Sequence, residues 1–260
     1  MARTLAEIRG ALKTATRAEY EEAARALAGD ARKGVASALA AARRRLDAED
    51  AERARLAGLY SFQADLAAGR VVAGLDEVGR GPVAGPLTVA AAVLPDDPRI
   101  EGLDDSKRIA PARREAIARE VKERALAWDI EHIEPAWIDE HGMAAALRTA
   151  FSRALAAVDA QGCAIGCVLI DGNALGIDPR ERNVVKGDAQ CASIAAASII
   201  AKVERDALMR AYAEEYPVYG FAENKGYASA EHIAAIERWG LSPLHRATFC
   251  RAWTQAAPLR

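Results

Sequence analysis

The sequence predicts a mixed α/β core preceded by an all-helical appendage, on three observations. The first 68 residues are rich in Ala, Arg and Glu and contain no proline, which is the composition of uninterrupted helix. At Val71 the texture changes to short apolar runs that alternate with helical patterns, as strands and helices sharing one core do. The length of 260 residues suits one domain of moderate size plus an appendage. The boundary is therefore placed after residue 68, with 1–68 a helical extension and 69–260 the α/β domain.

In the extension two or three helices are expected, broken near Gly10, Gly29–Asp30 and Gly34. The run Arg43-Arg44-Arg45 lies in the last of them. It reads either as a solvated helix face or as an auxiliary phosphate contact. Residues 71–76 (VVAGLD) form a short apolar run ending in acid, a buried strand. Gly79, Gly81, Pro82, Gly85 and Pro86 then make an irregular turn. Residues 87–94 (LTVAAAVL) read as the next strand, and 95–106 as loop. Pro111 suits the first turn of a helix that runs to about Arg124. Residues 126–133 alternate as a strand does, and a helical stretch follows, clearest over 143–158. Residues 165–171 (IGCVLID) form a buried strand ending in Asp171. Residues 183–188 (NVVKGD) form a short strand ending in Asp188. Long helical patterns run from about Cys191 to Glu215 and from Ala230 to Trp239.

With 51% hydrophobic and 28% charged residues the chain is globular in composition, not disordered or fibrous. No apolar run reaches the roughly 18 residues of a membrane span. The opening MARTLAEIRG lacks an apolar segment, so no secretory signal is read there. Cys163, Cys167, Cys191 and Cys250 match no zinc or redox spacing and are expected to be reduced, buried thiols. A soluble, cytoplasmic protein is the expectation. The net charge of −2 neither argues for nucleic acid nor excludes it. Residues 1–70 carry 13 Lys+Arg against 10 Asp+Glu, and residues 71–260 carry 22 against 27. His132, His141, His232 and His245 are scattered, with no nucleophile beside them, and are expected at the surface or at helix ends.

Three apolar runs end in acid, which would gather Asp76, Asp171 and Asp188 at one edge of a sheet, with Glu77 beside Asp76. Carboxylates held together repel unless a cation is present, and hard oxygen ligands suit Mg²⁺ or Mn²⁺. Such a cluster fits phosphodiester hydrolysis with two ions, one activating water and both offsetting charge on the attacking and leaving oxygens. Ordinary loop acids at strand ends are the competing reading. Gly79-Arg80-Gly81 would allow close backbone approach to a ligand, and Arg80 would pair with phosphate; a tight turn explains it equally well. Ser106-Lys107 and Lys186-Gly187 are further candidate phosphate contacts.

Taken together these segments resemble the bacterial ribonuclease HII family. The residues that carry the resemblance are AGLDEVGRGPVAGPLTVAAAVL (73–94), GLDDSKRI (102–109), CVLIDGN (167–173), VVKGDAQCASIAAASIIAKVERD (184–206), YGFAENKGYASAEH (219–232) and LSPLHRATF (241–249). Six motifs stand in the family's order from about Val71 to Phe249, and DARKGV (30–35) looks like part of the helical extension that some bacterial members carry. The resemblance implies a ribonuclease H-like fold, a central mixed five-stranded sheet flanked by helices. It implies cleavage on the 5′ side of a ribonucleotide in RNA/DNA hybrids or in duplex DNA, leaving a 3′-hydroxyl and a 5′-phosphate, with Mg²⁺ or Mn²⁺; a monomer is the separate expectation. Asp76, Glu77, Asp171 and Asp188 would be the metal-binding, catalytic acids, with Asp206 a competitor for the fourth place. Gly79, Arg80 and Gly81 would read the 2′-hydroxyl through backbone amides. Tyr227 would stack on the following sugar. Lys107, Lys186 and Lys225, with Ser106, would contact phosphates, while Ser198 and Lys202 would support helix packing. Ser229 stands where the family often has threonine and keeps the hydroxyl. The extension is assigned to substrate affinity. The rival readings are a type 1 ribonuclease H, a junction resolvase, and a non-catalytic nucleic-acid-binding protein on the same fold.

Overall fold

Two Thr-x-x-Glu capping boxes open the first helices, α1 (Leu5–Thr14) and α2 (Arg17–Ala26). In each, the Glu carboxylate accepts from the Thr amide at 2.7 Å and the Thr hydroxyl accepts from the Glu amide at 3.3 Å. This corrects the break expected at Gly10, which lies inside α1. The chain breaks instead at Ala15–Thr16, because Thr16 satisfies amides that no preceding turn can reach. Gly34 is no break either: it lies in the first turn of α3 (Lys33–Ala67), where a Cβ would stand 2.6 Å from Leu5 Cδ2. The break at Gly29–Asp30 is present between α2 and α3.

The computed structural model describes residues 3–254, and the chain divides into the units Met1–Ala57 and Gly58–Arg260. The first unit buries Ile8, Leu12, Val35 and Ala42. Arg17 bridges Asp47 and Asp50 at 2.8 and 2.5 Å, and Arg45 pairs with Glu49 at 2.8 Å and donates to the Ala15 carbonyl at 2.6 Å. Part of the arginine run is thus spent inside its own unit.

The second unit holds a five-stranded sheet in the order β3-β2-β1-β4-β5. The strands are β1 (Val71–Val78), β2 (Leu87–Val93), β3 (Ala127–Ile133), β4 (Ile165–Asp171) and β5 (Glu181–Val184). β1, β2 and β3 pair antiparallel, while β4 runs parallel to both β1 and β5. The helices are α4 (Pro111–Arg124), α5 (Pro135–His141), α6 (Met143–Asp159), α7 (Ala192–Glu215), α8 (Phe221–Asn224), α9 (Ala230–Trp239) and α10 (Arg251–Thr254). The expected ribonuclease H-like arrangement of a mixed five-stranded sheet with flanking helices is present. Among the described residues no helix is long and apolar enough to cross a membrane.

The period of two along β1 decides which layer each residue meets. Ala73 and Leu75 join the core under α6, with Ala150, Phe151 and Ala154. Val72 and Gly74 turn to the other layer, where Val72 packs with Ile194 of α7. A Cβ on Gly74 would lie 2.2 Å from the Ser193 backbone carbon, so only glycine lets α7 lie this close to the strand. α7 has no side-chain cap of its own; the buried Gln63 supplies one, its Oε1 accepting from Ser193 N at 2.9 Å.

One strand is shorter than expected. β5 ends at Val184, so Asp188 does not end a strand. Lys186 adopts a left-handed conformation (φ 56°) and Gly187–Ala189 form a 3₁₀ turn. A Cβ on Gly187 would meet Ile194 Cδ1 at 2.5 Å, so the chain turns here where it passes under α7.

Candidate active site

Leu75 of β1 lies opposite Ile170 of β4 in a parallel pair, so Asp76 and Asp171 follow at the same edge of neighbouring strands. Asp76 belongs to the α7 face of β1 and is 6% exposed. Its Oδ1 accepts from the Glu77 amide at 2.7 Å, and the Ser198 hydroxyl of α7 hydrogen-bonds its carboxyl. Ser198 Oγ also lies 3.0 Å from Ser106 Oγ and accepts from it when its own proton goes to the carboxylate, so Ser106 backs this acid through a buried hydroxyl pair. Glu77 falls on the opposite face and lines a cleft of about 510 Å³ with Arg80, Arg148, Phe151, Asp171 and Asn173. Asp171 Oδ1 accepts from Gly187 N at 2.6 Å, which ties the end of β4 to the turn carrying Asp188.

Burial pushes the Asp76 carboxyl well above the usual carboxylate range, and the charges of Glu77 and Asp171 add to the rise. Burial also raises Glu77, with Asp171 adding to it and Arg80 opposing it. Asp188 is raised by burial and then by Asp171 and Asp105. Four carboxylates thus press on one another, which is costly unless positive charge is supplied. Among the described residues no three His, Cys, Asp or Glu side chains are drawn together closely enough to hold a metal ion. In kind the donors nevertheless suit a hard divalent cation, since all four are carboxylates with neither thiolate nor imidazole among them. Asp206 is differently placed: Lys202 holds it at 2.7 Å and Arg114 at 3.8 Å.

The Gly79–Gly81 turn is held from beneath by a side chain to which the sequence reading gave no role. Arg246 is fully buried and has carbonyls as its partners. It donates to Gly79 O at 2.6 Å, Arg80 O at 3.1 Å, Pro82 O at 2.8 Å and Gly85 O at 2.8 Å. A trans peptide directs its N–H opposite to its C=O. With the Gly79 and Arg80 carbonyls turned onto Arg246, the amides of Arg80 and Gly81 face the other way. Arg205 repeats the device, donating to Pro86 O at 3.0 Å, Ala84 O at 3.1 Å and Lys225 O at 2.9 Å. Burial lowers both guanidinium pKa values, Arg246 to about 10.

The KGY segment is pinned to the same turn. Val83 and Ala84 both donate to Gly226 O, at 2.9 and 3.2 Å. Tyr227 is 51% exposed, and its Cε1 lies 3.8 Å from where a Cβ on Gly81 would stand. Ser106 is buried, whereas Lys107 and Lys186 are exposed. Lys107 acts electrostatically on both Glu77 and Asp188, so it is near the acids. Lys225 is half-buried, and its ammonium already bonds the Ala222 carbonyl. Arg80 is 62% exposed in its side chain and 3.9 Å from Glu77.

Two histidines take the expected helix-end positions, His141 as the exposed last residue of α5 and His232 in the first turn of α9, but the surface expectation fails for His232 and His245. These two are 0% and 4% exposed and hydrogen-bond each other at 3.0 Å between their Nε2 atoms. They lie 13 residues apart on different elements, so no local pattern joins them. Among the cysteines, Cys167, Cys191 and Cys250 are free and buried as expected, while Cys163 is free and only partly buried.

Comparison with known proteins bears on the family and the fold. A family model described as Ribonuclease HII matches residues 73–252, and another described as Ribonuclease HII N-terminal domain matches residues 4–67. The Ribonuclease HII of Ruminiclostridium cellulolyticum is 42% identical over 209 residues, 79% of this chain and 81% of its own. That of Geobacillus thermodenitrificans is 41% identical over 222 residues, 85% of each chain. The crystal structure of the ribonuclease H2 from Pyrococcus horikoshii OT3 matches with a TM-score of 0.59 at 28% identity, covering 70% of this chain and 95% of that one.

Proposed function

This chain belongs to the ribonuclease HII family and is a ribonuclease H, and on that premise we propose that it is a metal-dependent endonuclease that cuts on the 5′ side of ribonucleotides. Its substrates are RNA/DNA hybrids and duplex DNA with embedded ribonucleotides. The observation that carries the reading is the meeting of two features at one edge of the sheet. Asp76 and Asp171 end up side by side on β1 and β4. The next turn along β1 has its Arg80 and Gly81 amides turned away from a buried arginine and set beside Tyr227.

The chemistry follows from those residues. Hydrolysis adds water across the phosphodiester: the hydroxyl joins phosphorus and the proton goes to the departing 3′-oxygen. The products are a 3′-hydroxyl and a 5′-phosphate on the ribonucleotide. Asp76, Glu77, Asp171 and Asp188 would hold Mg²⁺ or Mn²⁺, as a pair of ions, to activate the water and offset charge on the leaving oxygen. The Arg80 and Gly81 amides would donate to the 2′-hydroxyl, the group that marks RNA at that position. Gly81 leaves room for that approach, with only Tyr227 nearby. Tyr227 would stack on the next sugar, and Lys107, Lys186 and Arg80 would meet phosphates. Lys225, whose ammonium is already bonded, would contribute less.

Residues 1–68 are taken as the extension and 69–260 as the catalytic domain, the extension adding substrate affinity. A truncation that tests this should begin at Gly58, because Tyr60 and Gln63 bond Ile100 and Ser193 within the second unit. The shortened chain is expected to bind duplex more weakly and with a shallower salt dependence; unchanged affinity and slope would remove the extension from substrate binding. The cleavage reading is tested with a labelled DNA duplex carrying one ribonucleotide, with divalent metal and with EDTA.

A further inference from the structure

His232 and His245 make a chain of hydrogen bonds that begins at one loop and ends at another. Ser242 N donates to His245 Nδ1 at 2.9 Å, so that nitrogen carries no proton. In the neutral ring the proton is then on His245 Nε2, which lies 3.0 Å from His232 Nε2 and donates to it. His232 consequently carries its proton on Nδ1, 2.7 Å from the Tyr227 carbonyl oxygen. Each ring has one tautomer that satisfies every contact, and the two tautomers fit each other. Burial lowers both imidazole pKa values, His245 to about 4, which keeps the pair neutral.

Packing alone does not require this pair. The rings lie among Tyr219 and Phe221, with centroids 4.7 to 6.2 Å apart, where apolar side chains would leave no polar atom to satisfy. What two imidazoles add is a directed contact to a residue outside the core. Tyr227 is half exposed, and among the described residues its carbonyl is otherwise bonded by Ser229 N at 2.8 Å. The other end of the chain is fixed as well. His245 bridges Ala84, and the next residue, Arg246, donates from its amide to Val83 O at 2.8 Å while its guanidinium holds the Gly79–Gly81 turn.

We propose that His232 and His245 are a positioning pair that places Tyr227 relative to the Gly79–Gly81 turn, and so sets affinity for a duplex bearing a ribonucleotide. The proposal rests on the reading of Tyr227 as the residue that stacks on the substrate sugar. The two rings never touch substrate; they act through the Tyr227 backbone.

Three substitutions test it, read by KM and kcat on the single-ribonucleotide duplex with Mg²⁺ and by thermal melting. His232→Asn keeps a donor where Nδ1 stands and gives up the link to His245. His232→Gln keeps a group where Nε2 stands and gives up the bond to Tyr227. Each loses one buried hydrogen bond, so melting should fall by similar amounts. KM is expected to rise about fivefold in His232→Gln, the size of one neutral hydrogen bond, and to stay within about twofold in His232→Asn, with kcat little changed in both. In a Tyr227→Ala background the effect of His232→Gln on KM is expected to vanish, because the ring it places is gone. An equal rise in the Asn and Gln variants, or an effect that persists without Tyr227, would overturn the proposal. If His232→Gln does not fold, His232→Met carries the same cycle: it gives up the bond to Tyr227 together with the link to His245, and His232→Asn measures the loss of that link by itself. Should Tyr227→Ala alone leave KM unchanged, the stacking role of Tyr227 falls and the proposal with it. A rise for Tyr227→Ala with none for His232→Gln would remove the histidine pair alone.

Discussion

Arg246 donates from Nη2 to the Gly79 carbonyl oxygen at 2.6 Å, a bond between a buried guanidinium and a turn 167 residues away in sequence. Arg246→Lys is expected to break it, because a lysine is a point charge and cannot fork across the carbonyls of Gly79, Arg80, Pro82 and Gly85. Buried carbonyls left without donors should cost about 3 kcal/mol or more in urea unfolding. Cleavage next to an embedded ribonucleotide should fall further than cleavage within long hybrids, where many positions compete for the site. A lysine variant as stable as the parent would show that these bonds do not hold the turn.

The two glycines of that turn should respond differently to alanine. Gly79 has φ +88°, and a Cβ there would meet Arg205 Nε at 2.3 Å and Pro86 O at 2.7 Å. Gly79→Ala is therefore expected to lower stability by about 1–3 kcal/mol. At Gly81 the nearest atom to a Cβ is Tyr227 Cε1 at 3.8 Å, so Gly81→Ala should melt as the parent does. Its methyl would occupy the approach to the amides, and its KM should rise. Melting curves beside KM values separate the two effects.

Asp76→Asn removes a buried charge that its neighbours oppose. A carboxyl whose folded pKa is raised destabilises the fold once the pH exceeds its unfolded value, so at neutral pH the Asn variant should be more stable in EDTA, by about 1–2 kcal/mol. Cleavage should be nearly abolished while duplex binding persists. Mg²⁺ or Mn²⁺ should raise the melting temperature of the parent and not of the variant. Retention of cleavage would remove Asp76 from the metal site.

His245 gives a pH dependence of known sign. Its folded pKa is about 4 against an ordinary value of 6.5, so the unfolded chain takes up the proton first as pH falls. Stability from this group is complete above pH about 6.5 and declines until about 4, by at most about 3 kcal/mol. His245→Asn should flatten the parent's decline across that window in urea unfolding. Identical slopes would show that the imidazole is not held neutral.

Most of the sheet is legible because β1, β2 and β4 carry short apolar runs bounded by Gly, Pro or acid, because β3 alternates, and because Asp76 and Asp171 end two of the runs. The extension was less legible, since Ala-rich helix has no strong punctuation. Gly10 suggests a break, whereas Thr16 and Glu19 form the stop and start in a Thr-x-x-Glu pattern already present in the sequence. Val184 and Val185 suggest a strand that carries on to Asp188, but Lys186 and Gly187 turn the chain. The supports of the site were not legible at all. Arg205, Arg246 and the two histidines are polar residues that only the tertiary fold buries, and their partners are backbone groups, Ser242 or each other, which no local period encodes.

The central claim is tested most directly by cleavage of a labelled DNA duplex containing one ribonucleotide, in Mg²⁺, Mn²⁺ or EDTA, beside an all-DNA duplex. The expected result is a single cut on the 5′ side of the ribonucleotide, dependent on divalent metal, with the all-DNA duplex intact. Cutting of long RNA/DNA hybrids alone, or a cut that survives EDTA, would contradict it.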